Sequence, residues 1–147
     1  MEISNASLLD EGTAAGEALS MIQRQNNGKK TECFVSDQCH PQTINLIKQR
    51  AEWMGVNVLV GNVDKFNFNR ENLAGVIVQY PDTRGILKDY SRVADALHAT
   101  GGKLVMCVDP LALCAAKPPS DMGADIVVGS LQRFGVEAKK GLWMPKS

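Results

Sequence analysis

The sequence predicts an α/β fold, a mostly parallel sheet with helices on both faces. Three observations carry that reading. Short apolar, partly β-branched runs alternate with stretches of good helix formers along the chain. The helical stretches end in turn residues: "NNG" at 26–28, Gly55 and "TGG" at 100–102. The run "LAGVIVQYP", 73–81, is continuously apolar rather than alternating, as in a strand covered on both faces. Strands separated by helices in this order imply right-handed crossovers.

The elements follow in order. A first helix is expected from Thr13 to about Gln25; the stretch that leads into it, "NASLLDEGTAAGEALSM", 5–21, has Gly, Thr and Ala that leave backbone accessible, with Asp10 and Glu11 just ahead. A helix entry so stripped of bulk is a tight packing surface or a place where a ligand meets the first amides. "TECFVS", 31–36, predicts the first strand. "HPQTINLIKQRAEWMG" predicts a helix opened by Pro41, where a missing amide costs least, with Ile44, Ile47, Ala51 and Met54 on one stripe and Gly55 at its end. "VNVLVG", 56–61, reads as a strand. "NVDKFNFNREN", 62–72, reads as a polar connection holding at most a turn of helix. A third helix is expected over 88–99 with Val93, Ala96 and Leu97 inward, followed by strands at "KLVMCVDP", 103–110, and "ADIVVGS", 124–130.

The chain has 147 residues, room for about one domain. Sixteen basic and sixteen acidic side chains cancel, so no long-range field recruits nucleic acid or anionic lipid. No apolar run approaches the roughly 20 residues that span a bilayer, and the first residues lack a signal-peptide pattern. A soluble chain without an address of its own is the expectation. Cys33, Cys39, Cys107 and Cys114 form no C-x-x-C pair, so reduced thiols are expected. Cys39 and His40 are adjacent, but neighbours in an extended segment point apart, which argues against a thiolate–imidazole pair. A metal site from Cys39, His40, Cys107 and Cys114 lacks any recognisable ligand spacing.

In open parallel sheets, ligands bind beyond the carboxyl ends of the strands. Asp37, Cys39 and His40 follow the first strand; Pro81, Asp82, Thr83 and Arg84 follow "VIVQY"; Asp109 follows "LVMCV"; Ser130, Gln132 and Arg133 follow "DIVVG". Each also has an ordinary reading: His40 as a surface cap, Thr83 as part of a Pro-Asp-Gly turn, Asp109 as a turn former and Arg133 as a surface charge. A carboxylate directly after four apolar strand residues, however, is more often paired than merely solvated. Neither G-x-G-x-x-G nor G-x-x-x-x-G-K-[ST] occurs, so dinucleotide and P-loop chemistry is not supported, and G-x-S-x-G is absent too.

The blocks "NASLLDEGTAAGEAL", "CHPQT", "QYPDTRG", "DPLALC", "KPP", "GADIVVGS" and "QRFGV" resemble, in order, the N-terminal half of the glycine cleavage system P-protein family. The resemblance covers residues 3–136 and implies part of the large domain of the type I pyridoxal-phosphate-dependent, aminotransferase-like fold. Residues 1–136 are expected to form that partial domain and 137–147 a divergent tail. For the parent, the resemblance implies decarboxylation of glycine with pyridoxal phosphate and transfer of the aminomethyl group to the lipoyl H-protein. It further implies a full-length homodimer, and the mitochondrial matrix in a eukaryote or the cytosol in a bacterium.

By resemblance between the family's two halves, His40, Thr83 and Asp109 match cofactor-contacting positions: a ring-stacking His, a Thr and the carboxylate beside the ring nitrogen. Where the catalytic half carries its Schiff-base Lys, this chain reads "SLQRFG", which puts Gln132, or Arg133 with a shift of one, at that position. An amide is not nucleophilic and a guanidinium stays protonated, so neither forms a Schiff base. Lys139 and Lys140 lie in the stretch that no longer resembles the family. The resemblance thus implies a truncated, noncatalytic half with a pseudo-site, which pairs with the catalytic half and does not bind the cofactor covalently; "DEGTAAGEAL" then keeps the shape of a phosphate loop without the cofactor. Two alternatives stay open: a binding or regulatory fragment that pairs with a full-length subunit, and an unrelated small α/β enzyme using Asp109 and His40 directly.

Overall fold

A computed structural model of the chain describes residues 3–4 and 8–135, so residues 137–147 of the expected tail lie outside the described residues. The elements run α1 (Glu11–Gln25), β1 (Glu32–Ser36), α2 (Pro41–Met54), β2 (Asn57–Gly61), β3 (Leu73–Tyr80), α3 (Ser91–Ala99), β4 (Lys103–Val108) and β5 (Ile126–Val128), with short 3-10 turns between. The five strands form one sheet in the order β2-β1-β3-β4-β5, and every pairing is parallel. The strand order reverses between β1 and β3, the kind of switch point beyond whose carboxyl ends open parallel sheets bind ligands.

The helices divide between the two faces as expected. On one face, Ala15, Ala18, Leu19 and Ile22 of α1 and Ile47 and Ala51 of α2 pack on Cys33, Val35, Ile77, Val105 and Cys107. On the other, Val93, Ala94 and Leu97 of α3 pack on Val76, Val78, Leu104 and Met106. The alternation of side chains along β3 feeds both layers, and all eight of its residues are buried. Leu19 and Ile22 are essentially inaccessible, and such burial contributes about 1.5–3 kcal/mol for each side chain.

Small residues on α1 serve close packing. A Cβ on Gly16 would stand 2.6 Å from Cδ of Arg50 and 3.0 Å from Leu46, so its absence lets α2 approach. The Arg50 guanidinium then reaches back over this contact to pair with Glu17.

The boundaries differ from expectation in places. Helix α1 begins at Glu11 rather than Thr13, because Asp10 caps it: its Oδ1 accepts from the Thr13 amide at 2.7 Å. Helix α3 begins at Ser91 rather than Lys88, and Ala94 is fully buried where Ala96 is only partly so. The connection 62–72 is less polar in effect than its composition: Phe66 and Phe68 pack on Phe34, with ring centroids 4.1 and 5.6 Å from it. Arg70 lies over the Phe66 ring and forms a forked pair with Glu32 at 2.8–3.0 Å.

Candidate functional site

The parallel strands deliver their connections to one edge, and the candidate residues meet there in two pairs. The first joins the connections after β1 and β3. His40 occupies the N-cap of α2 but makes no side-chain cap bond; its Nδ1 instead lies 3.2 Å from Oγ1 of Thr83. The Thr83 hydroxyl donates to the carbonyl of Gln38 at 2.8 Å, and the Thr83 amide donates to the same carbonyl at 3.0 Å. With its one proton committed, Oγ1 receives the bond from His40, so Nδ1 carries hydrogen and a neutral ring presents an acceptor at Nε2.

Asp82 is the turn former here: its Oδ1 accepts from the amides of Arg84 and Ile86 at 2.8 and 2.9 Å. Gly85, at φ +81°, completes that turn in a conformation that side chains disfavour.

The second pair joins the connections after β4 and β5. Asp109 Oδ1 accepts from the Leu111 amide at 2.9 Å, and Oδ2 pairs with Nε of Arg133 at 3.0 Å. Asp109 is therefore both a turn former and a paired carboxylate. Arg133 is a correction of degree: its side chain is 61% exposed, as a surface charge would be, yet it is aimed at Asp109. Gln132 is exposed on the 3-10 turn Leu131–Phe134, where its backbone N–H donates to Ser130 Oγ at 3.3 Å.

Cys39 points away from His40, into the sheet, with Sγ 3.7 Å from the carbonyl of Ile77. Burial, with a smaller contribution from Glu11, pushes its thiol up to about 12. Burial likewise raises Cys107 well above the ordinary 9.0, so neither is a thiolate at neutral pH. Cys114 is exposed. Among the described residues, no group of three or more His, Cys, Asp and Glu side chains is arranged to hold a metal ion.

Two residues absent from the sequence-based site complete it. Glu11, at the first turn of α1, lies within electrostatic reach of both His40 and Asp109. Gln79, near the end of β3, is only 2% exposed, and its side chain acts on the Glu11 carboxyl. Burial raises the Glu11 carboxyl above its ordinary 4.5, against the lowering effects of His40 and Gln79. One oxygen of each, Glu11 Oε1 and Gln79 Oε1, is buried without a hydrogen-bond partner among the described residues. Gln79 was hidden in a run read as wholly apolar. Its place two residues beyond Ile77, on the same face of β3, was the available signal.

The chain is similar to known proteins along nearly all its length. Residues 1–141 match the family model described as glycine cleavage system P-protein. Glycine dehydrogenase (decarboxylating), mitochondrial, from Flaveria anomala is 49% identical over 136 residues, which are 92% of this chain and 13% of that protein. Glycine dehydrogenase (decarboxylating) from Pelagibacter ubique (strain HTCC1062) is 48% identical over 136 residues, 92% of this chain and 14% of the relative. A crystal structure of glycine decarboxylase (P-protein) of the glycine cleavage system, in inhibitor-bound form, superposes with a TM-score of 0.83 at 32% identity, over 96% of this chain and 33% of that one. A cystathione gamma lyase from Micromonospora echinospora shares the fold, with a TM-score of 0.61 at 22% identity over 82% of this chain and 32% of that one.

Proposed function

This chain belongs to the glycine cleavage system P-protein family, and from that premise we propose that it is a noncatalytic piece of a glycine decarboxylase whose active site is completed elsewhere. Its five-stranded parallel sheet is part of a type I pyridoxal-phosphate-dependent large domain. The chain spans 13% of the length of the curated plant relative, so the parent's activity belongs to the proposal. That activity is decarboxylation of glycine with pyridoxal phosphate and transfer of the aminomethyl group to the lipoyl H-protein. The partner in the first instance is the catalytic half, within a full-length homodimer. The compartment is the mitochondrial matrix in a eukaryote and the cytosol in a bacterium.

The observation that carries the reading is the connection after β5. Gln132 stands where the resemblance puts the Schiff-base lysine, and the neighbouring Arg133 pairs with Asp109, the carboxylate that would attend a pyridinium nitrogen. A bound cofactor would supply an electron sink for the carbanion left by decarboxylation. The residues present do not fit it. Asp109 is already engaged, and the half-buried Glu11 carboxyl stands at the start of α1, in the block matching a phosphate loop. What these side chains do instead is hold the edge in shape. His40 and Thr83 bind the connection after β1 to that after β3, and Asp109 and Arg133 bind the next two. Residues 1–136 act as this supporting domain, with 137–147 as the divergent tail.

The test is a spectrophotometric titration of the 147-residue chain with pyridoxal phosphate, alone and with the catalytic half added. No internal aldimine band alone, with glycine decarboxylation on mixing, is the expected result. A band in the isolated chain, trapped by borohydride on one of its lysines, overturns the reading.

A further inference from the structure

The stop signal "NNG", 26–28, ends α1, and it holds the chain's one Asn-Gly step, Asn27–Gly28. Every other asparagine is followed by a residue with a side chain. The difference is chemical. The side-chain amide of an asparagine is open to attack by the main-chain nitrogen of the next residue, and only glycine leaves that nitrogen unshielded by a Cβ.

The structure exposes the pair and leaves room around it. Asn27 and Gly28 line an open groove of about 700 Å³ at the end of α1, which Met54 of α2 also lines. A Cβ on Gly28 would meet no heavy atom within 4 Å. Among the described residues, the Asn27 side chain has no hydrogen-bond partner to hold it. Asn27 is also the one residue other than glycine at positive φ among them, at +53°, a conformation that asparagine tolerates better than most side chains.

Backbone hydrogen bonds restrain the reaction. The Gly28 N–H donates to the Gln23 carbonyl at 3.1 Å, and the Asn27 N–H to that of Arg24 at 3.2 Å. Asn26 ties the turn from the other side: its carbonyl accepts from the Lys29 N–H at 3.2 Å and its Oδ1 from the Lys30 N–H at 3.4 Å. A nitrogen whose proton is held by a carbonyl is a poor nucleophile. Helix ends fray at little free-energy cost, however, so the restraint lifts by local opening and not only by unfolding.

We propose that Asn27 is a site of spontaneous deamidation, gated by the Gly28–Gln23 hydrogen bond that closes α1. When that bond opens, the Gly28 nitrogen gives its proton to a solvent base and attacks Cγ of Asn27. The new C–N bond closes a cyclic imide, the bond from Cγ to the amide nitrogen breaks, and that nitrogen takes up a proton and leaves as ammonia. Water then opens the ring at either carbonyl, giving aspartate or isoaspartate. One water is consumed and one ammonia released, with no change of oxidation state. Both products place a carboxylate at the C-terminal end of α1, where the helix dipole disfavours it. Isoaspartate also adds a methylene to the main chain, which carries the Gly28 amide off the Gln23 carbonyl and leaves the helix end looser. The inference stands on this turn and does not rest on the family reading.

The test incubates the 147-residue chain at mildly alkaline pH in water enriched in heavy oxygen, folded and in urea, followed by peptide mass mapping. Solvent oxygen and isoaspartate are expected at residue 27 ahead of every other asparagine, with ammonia released in equal amount. Urea removes the gate and is expected to speed the reaction by about tenfold. Asn26→Ala removes the acceptor of the Lys30 amide and is expected to move the folded rate toward that in urea. Asn27→Gly keeps the left-handed turn without the amide and is expected to release no ammonia on the same timescale. Solvent oxygen arriving first at another asparagine overturns the site. Equal rates in the folded and urea-unfolded chain overturn the gate, and a folded chain that stays unreacted while the unfolded one deamidates shows that the turn does not open and overturns the proposal for the native protein. Neither the cofactor nor the catalytic half enters the measurement, so it can fail without the proposed function failing.

Discussion

Glu11 illustrates how one residue couples helix geometry to the site. It belongs to the first turn of α1, where a carboxylate is favoured by the helix dipole, but the turn is packed under the edge of the sheet and burial works against the charge. Its pKa is raised in the folded state, so its favourable contribution to stability is complete below the ordinary 4.5 and is lost as pH rises through the higher folded value. Glu11→Gln is expected to remove that loss. Thermal unfolding of the two proteins should converge at acid pH and separate toward neutrality, with the variant the more stable. A variant equally or less stable at neutral pH would show that the carboxylate is better compensated than its surroundings indicate. The sequence made His40, Thr83 and Asp109 legible because they follow strands. Glu11 was read as lying ahead of its helix, and Gln79 was masked by apolar neighbours. Both depend on packing between distant elements, which local pattern does not encode.

At the scale of elements, the short strand β5 is held from both ends. At its start, Asp125 Oδ2 accepts from the Leu104 amide at 2.8 Å and from His98 Nε2 at 2.9 Å, while Oδ1 accepts from Lys103 at 2.9 Å. Burial alone would raise Asp125, but these bonds outweigh it and the carboxyl lies below its ordinary 3.8. The stability it contributes is present above 3.8 and is lost as pH falls through the lowered value. Asp125→Asn should cost about 1–3 kcal/mol in urea unfolding at neutral pH and blunt the acid sensitivity.

Just past the other end of β5, a Cβ on Gly129 would meet the Val108 carbonyl oxygen at 2.4 Å. Because backbone, not a flexible side chain, is in the way, Gly129→Ala should cost about 1–3 kcal/mol, read as a lower urea midpoint. Strand positions were legible from β-branched runs, and the helices from their Gly and Asn stops. The start of α1 was not, because it depends on the Asp10 side chain turning back to the Thr13 amide.

At the scale of the whole molecule, alternation of strand and helix sufficed to anticipate a parallel sheet covered on both faces. It could not give the strand order, since β1 lies between β2 and β3 through packing of α2 rather than through any local signal. The order matters for the site. It places the connections after β1 and β3 beside each other, which brings His40 to Thr83 across 43 residues of chain.

Strand β3, enclosed by β1 and β4 and by a layer on each face, has a consequence for how the molecule breathes. Backbone amides trade their hydrogens for deuterium only when the bonds around them open, and the outermost strands open without disturbing the rest. Amides of β3 are expected to exchange slowest, at the rate of global unfolding. Those of β2 and β5 should exchange sooner, through partial openings. The sheet would then loosen from its margins inward, and the connections that carry His40 and Asp109, each anchored beside β3, would be among the last to lose their places.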